Sequence, residues 1–144
     1  MNSMRRVGKI AVAGLLLLAA QGLAWAGGAV IVSVDSGVSQ MSKAQVKSIF
    51  LGKKSALPDG TPAVPVNLPE GDPLYSAFNQ KVLGKSDAKM KKYWSARMFS
   101  GKGNPPKVVK DAQAVIEHVK TVPGGIGYVD ESAVGDGVKV VFRF

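Results

Sequence analysis

A three-layer α/β domain is predicted for residues 27–144 by three features of the chain. Short β-branched or alternating runs at 29–35, 63–68, 126–129 and 138–144 are interleaved with segments of helical apolar spacing. Each helical segment opens on a Ser or Asp placed to cap it, and glycine closes several of them. The resulting order, β-α-β-α-α-α-β-β, is that of a sheet covered by helices.

The 29–35 run is valine-rich and suits a buried strand, closed by the Asp-Ser-Gly turn at 35–37. Ser42 opens the first helix. Its hydroxyl is spaced to accept from the Gln45 amide while the Gln45 side chain reaches back, as in a capping box. Met41 and Val46 stand at the staple positions, Val46, Ile49 and Phe50 form the inward stripe, and Gly52 ends the helix. Pro58-Asp59-Gly60 is a turn by composition. It leads to a short strand over 63–68 that Pro62 and Pro65 place near a sheet edge or a strand start.

Asp72 followed by Pro73 marks a cap and a first-turn proline, and Leu74, Phe78 and Val82 continue one amphipathic helix to Gly84. Ser86 caps the next helix, in which Met90, Trp94 and Met98 share an inward face at four-residue spacing. With two glycines, two prolines and three lysines, 100–110 reads as loop. Asp111 caps a helix through Val119 that turns Val115 and Val119 inward, and Pro123-Gly124-Gly125 breaks it. One helical turn at 130–134 precedes the final strand, 138–144.

The first 26 residues read as a cleavable signal peptide. Arg5, Arg6 and Lys9 precede the apolar run 10–20, and Ala24-Trp25-Ala26 supplies small residues where a signal peptidase reads. Gln21 and Gly22 cut the run short of the roughly 20 apolar residues a membrane span needs. Cleavage after Ala26 and a periplasmic chain without a stable membrane span are therefore expected. The remaining 118 residues suit one domain with one core. Three of the 19 basic residues and none of the 10 acidic ones lie in the leader, which leaves a net charge of +6. Secretion and the scatter of the lysines argue against nucleic acid, while attraction to anionic ligands or polymers is expected. Cysteine is absent, so packing alone must hold the fold.

Enzyme chemistry finds few candidates. The single histidine, His118, lies beside the apolar stripe of its helix, where a surface or helix-end role is expected. Neither Ser36 nor Ser100 sits in a nucleophile elbow. The acidic pairs Glu70/Asp72 and Asp130/Glu131 read as a helix entry and a turn start. Gly101-Lys102-Gly103-Asn104 exposes backbone amides, but Pro105-Pro106 prevents the immediate helix that a nucleotide loop requires. Lys85, Lys89, Lys91 and Lys92 around Tyr93 and Trp94 read as a solvated basic face over buried aromatics. No catalytic residue, metal or cofactor is expected.

Five blocks between 41 and 130 carry a resemblance. They are Ser-Ile-Phe-Leu-Gly-Lys at 48–53, Val-Pro-Val-Asn-Leu at 64–68, Tyr-Trp at 93–94, Phe-Ser-Gly-Lys-Gly-Asn-Pro-Pro at 99–106, and Val-Pro-Gly-Gly-Ile-Gly-Tyr-Val at 122–129. In this order and spacing they resemble the second lobe of phosphate-type periplasmic substrate-binding proteins. The resemblance implies a single three-layer α/β/α lobe of the type II periplasmic-binding-protein fold, a non-enzymatic role, and a ligand loop leading into a helix. The loop that corresponds to the family's Arg-x-Asp-Gly-Ser-Gly-Thr-like signature is Asn-Leu-Pro-Glu-Gly-Asp-Pro-Leu at 67–74. It has no arginine, Pro73 has no N–H, and Glu70 and Asp72 add negative charge where phosphate would sit.

Two functional expectations follow. In the first, a secreted solute-binding-like lobe related to phosphate transporter binding proteins presents Ser36, Gly37, Asn67, Glu70, Gly71, Asp72 and Lys102 at one cleft. There it would meet a small anion or other small solute, with Lys102 as the anion contact, or a protein partner or homodimer that completes the site. In the second, an interaction or scaffold module reuses the lobe without a small ligand.

Overall fold

The computed structural model describes residues 27–144; the expected signal peptide lies outside the described residues. Five strands form one mixed sheet: β1 (Gly28–Ser33), β2 (Val64–Asn67), β3 (Lys107–Val108), β4 (Gly125–Asp130) and β5 (Val138–Arg143). Their order is β3-β2-β4-β1-β5, with β2 parallel to β3 and β4, and β1 antiparallel to β4 and β5. β1 lies inside the sheet between β4 and β5 and is completely apolar in its middle, so Ala29, Val30, Ile31 and Val32 are all fully buried.

Gly127 and Tyr128 are neighbours on β4 and so face opposite sides of the sheet. Gly127 faces Val115 of α4 (Ala112–Thr121), which covers one side. Tyr128 faces Phe50 of α1 (Lys43–Phe50) and Phe78 of α2 (Pro73–Phe78). With α3 (Asp87–Phe99) on that same side, these helices complete the α/β/α layering. The inner layer there is aromatic: Phe78 stacks on Tyr128 at 4.0 Å and meets Phe50 edge-on at 4.8 Å.

Local chemistry sets the helix ends as the sequence predicts. Ser42 and Gln45 form the reciprocal capping box of α1, with Met41 and Val46 both buried beside it. Ser86 and Asp111 cap α3 and α4, and Asp72 caps α2 with Pro73 at the first position.

Three expectations need correction. The helix expected from Pro73 to Gly84 is α-helical only to Phe78 and continues as one π turn, Asn79–Leu83. The buried Asn79 side chain, donating to Asp87 at 3.0 Å, anchors that wider turn. The 100–110 stretch is not all loop. Lys107–Val108 pairs in parallel with Val66 and Asn67, the backbone after Pro105-Pro106 being already extended. Met98 does not share the buried face of Met90 and Trp94; it is 47% exposed, at the last turn of α3 where the layer beneath ends.

Candidate functional site

Strand direction decides which loops meet. β2 and β4 run in parallel with Val64 opposite Gly125, and β1 runs against β4 with Gly28 opposite Asp130. The loops after β2, β3 and β4 therefore gather at one end of the sheet, beside the start of β1. This end forms the rim of the lobe.

The rim is built from Asn67, Glu70, Gly71 and Asp72, joined by Asp111, Asp130 and Glu131. Tyr128 positions the start of its longest loop. The hydroxyl accepts from the Leu68 amide at 3.3 Å and donates to Asn67 Oδ1 at 3.2 Å. Burial pushes the Tyr128 pKa upward, so the hydroxyl stays a neutral donor. Asp72 N donates to Pro69 O at 3.1 Å, and Gly71 takes φ +90°, a conformation that glycine adopts freely. The turn lets the Asp72 carboxylate fold back onto the Leu74 amide at 2.9 Å.

The same device recurs at the next two loops. Asp111 Oδ1 accepts from the Ala114 amide at 2.9 Å, and Asp130 Oδ1 from the Ser132 amide at 3.0 Å and its hydroxyl at 2.8 Å. Each rim loop thus presents a carboxylate that already uses the amide an anion would seek. Glu70 is exposed and Glu131 is paired with Arg143 at 2.6 Å. A concavity of about 260 Å³ opens between Gly28, Asp72, Pro73, Lys81, Asp130 and Phe144. A second, also about 260 Å³, opens between Asn67, Glu70, Tyr75, Trp94, Met98 and Pro106.

Ser36 and Gly37 are elsewhere. They follow β1, which ends where β2 and β4 begin, so they sit at the opposite end of the sheet. The six-residue β4 separates the two ends by about 17 Å at about 3.3 Å per residue. The single cleft expected to join 35–37 with 67–74 is not formed within this lobe. Ser36 and Gly37 instead line a concavity of about 340 Å³ with Asp59, Thr61 and the turn after α4. There Lys139 Nζ donates to Ser36 O at 2.6 Å. Asp59 Oδ1 accepts from the Thr61 amide at 3.0 Å; with the Thr61 hydroxyl and the Gly37 amide, this holds its carboxyl below the usual value.

Lys102 is exposed, and what ties its loop down is its carbonyl, which accepts from Arg97 Nη2 at 3.3 Å. It lines neither rim concavity. His118 stands in the last turn of α4, in keeping with the helix-end position expected of it. Its Nε2 lies 2.8 Å from the Val64 carbonyl, which can only accept, so the ring nitrogen carries the hydrogen and ties α4 to β2. Tyr128 and the rim roles of Asp111 and Asp130 went unrecognised in the sequence. The capping spacing of both aspartates was legible there, but their convergence depends on strand direction. Among the described residues, no group of three or more His, Cys, Asp or Glu is arranged to hold a metal. No described helix is long and apolar enough to cross a membrane.

No protein-family model matches the chain, and no curated protein matches it. Solved structures do. An ABC-type phosphate transport receptor from Vibrio cholerae superposes with TM-score 0.62 at 15% identity, over 80% of this chain and 45% of that one. A putative phosphate ABC transporter substrate-binding protein with bound phosphate from Clostridium perfringens gives TM-score 0.64 at 22% identity, over 80% and 44%. PstS from Borrelia burgdorferi gives 0.59 at 15%, over 80% and 46%. The chain therefore has a PstS-like α/β fold, and it spans less than half the length of the proteins it matches.

Proposed function

We propose that this PstS-like lobe is secreted and non-enzymatic, recognises its target together with a second body, and does not hold free phosphate on its own. The second body is a protein partner or another copy of the chain that completes the cleft over the rim. The observation that carries this reading is the triple self-capping of the rim by Asp72, Asp111 and Asp130. An arriving anion finds those amides taken and meets Glu70 and Asp72 beside them. At about 4 Å, each uncompensated carboxylate repels a unit negative charge by about 1 kcal/mol even at the dielectric of water. That is about fivefold in affinity per carboxylate. The periplasm, as the place of action, rests on the leader sequence.

Titration calorimetry of residues 27–144 with phosphate, sulfate and small carboxylates tests the proposal, with the emission of Trp94, the one tryptophan of that segment, as a second readout. No saturable binding below the millimolar range is expected. Micromolar phosphate binding would overturn the reading. It would also favour the alternative supported by the likeness to a phosphate-bound neighbour, a solute-binding lobe that works alone.

A further inference from the structure

Charge is divided unevenly along this chain. Residues 36–58 and 88–110 carry eleven Lys or Arg and no Asp or Glu, so all ten acidic residues lie outside them. The two segments are neighbours in space. Tyr93 OH donates to Leu51 O at 2.6 Å, the Trp94 ring packs under Gly52, and Arg97 Nη2 donates to both Gly52 O and Lys102 O. Arg97 thus ties the 52–54 loop to the 100–103 loop, bringing Lys53, Lys54 and Lys102 to one pole of the molecule. Among the described residues the single ion pair is Arg143–Glu131, so nothing neutralises this pole directly. Glu70 of the rim shares a groove with Lys91.

Phe99, the last residue of α3, adjoins that pole and is 97% exposed. On α3 it follows Lys92 by seven residues and Ser95 by four, so it lies on the outward face, opposite buried Met90. Exposed Lys92 shares its face of α3, exposed Lys91 and Lys102 flank it along the chain, and half-exposed Met98 adjoins it. The exposed Lys53 and Lys54 belong to the loop held by Arg97 on the other side of the helix. The wholly exposed Phe99 ring and half-exposed Met98 form a small apolar tip with basic residues beside it, which an apolar boundary flanked by negative charge would receive.

We propose that this pole docks on a lipid surface bearing anionic headgroups, with Phe99 entering the headgroup–acyl boundary and the lysines pairing with the headgroups. The charge complementarity selects an anionic partner. The ring selects lipid over protein: it protrudes singly, and a bilayer receives such a ring without a preformed pocket, whereas a protein partner must supply one. The expected geometry is a lobe lying on the membrane and not spanning it. The proposal does not depend on what the rim recognises.

Co-sedimentation of residues 27–144 with vesicles of phosphatidylcholine containing 30% phosphatidylglycerol tests it. Binding is expected to those vesicles and not to pure phosphatidylcholine, weakening as salt is raised. F99A should lower the partition coefficient about fivefold or more, and K53E/K54E at least tenfold, both with unchanged circular dichroism because these side chains are exposed. In F99W the added emission should move to shorter wavelength only with the anionic vesicles. Equal binding to neutral vesicles would overturn the proposal, as would wild-type partitioning by F99A. Soluble polyglutamate that binds as tightly as the vesicles, with no dependence on Phe99, would point to an acidic protein partner and equally overturn it.

Discussion

Tyr128→Phe isolates one hydroxyl at the root of the rim. The ring is retained, so the stack on Phe78 at 4.0 Å and the edge contact with Phe50 at 5.9 Å persist. What is lost is the acceptor for the buried Leu68 amide and the donor to Asn67 Oδ1. Leaving a buried amide unpaired costs about 1–3 kcal/mol. For a domain of this length the unfolding entropy near the midpoint is about 250 cal/mol/K, so each kcal/mol lowers Tm by about 4 °C. The expected fall is about 4–12 °C, accompanied by faster hydrogen exchange at Leu68. The pH dependence supplies an independent sign. Burial raises the Tyr128 pKa in the folded state above its ordinary value of 10.0. Below that value both states hold the proton and the hydroxyl's contribution is complete. Above it the unfolded state releases the proton while the folded state retains it, so stability falls. The advantage of the wild type over Tyr128→Phe should therefore shrink as pH rises above 10.0. A Tm within about 2 °C of wild type, with Leu68 protection unchanged, would refute the claim that this hydroxyl holds the rim loop.

Gly127→Ala should destabilise by about 1–3 kcal/mol. A methyl group there stands 2.5 Å from Val115 Cγ1 and 3.1 Å from Val66 Cγ2. Urea unfolding checks it, and adding Val115→Ala should recover part of the loss by opening the space. Asp87→Ala removes the acceptor of the buried Asn79 amide and of the Ser76 hydroxyl, for an expected loss of about 1–3 kcal/mol by the same assay. Asp59 has a depressed folded-state pKa, so its contribution is present above the ordinary value of 3.8 and lost as pH falls below it. The Tm difference between wild type and Asp59→Asn should accordingly shrink on acidification through that value.

What the sequence disclosed was what neighbouring residues decide. Ser42, Asp72, Ser86 and Asp111 cap their helices as their spacing implied, since a cap needs only an oxygen and an amide two or three residues on. The π turn was invisible because Phe78 and Val82 keep a helical separation in either geometry, and the cause, Asn79 reaching Asp87, joins two elements. Met98 misled for a related reason. Four-residue spacing gives the side of a helix, but how far the underlying layer extends is a tertiary property. The site divided the same way. Asn67 through Asp72 are one loop and stay together. Ser36 was added to them as though every strand end shared one edge, whereas β1 runs against β4 and carries Ser36 to the other end.

The rim and the basic pole follow from one partition of charge, and that partition makes them separable. Asp72, Asp111 and Asp130 occupy the turns after β2, β3 and β4, where each serves as a cap and is held close to the backbone. Lys53, Lys54, Lys91, Lys92 and Lys102 are long, exposed and without an ion pair, and belong to surfaces that the sheet does not order. With a screening length of about 8 Å at physiological salt, charges farther apart than that across the exterior scarcely sense one another. Neutralising Asp72 should therefore alter what the rim accepts without changing how the Phe99 pole meets an anionic surface, whereas Glu70, which shares a groove with Lys91, influences both. Reversing Lys53 and Lys54 should do the converse. Two surfaces that respond independently are what a lobe needs if one end is to recognise a target while another face holds it in place.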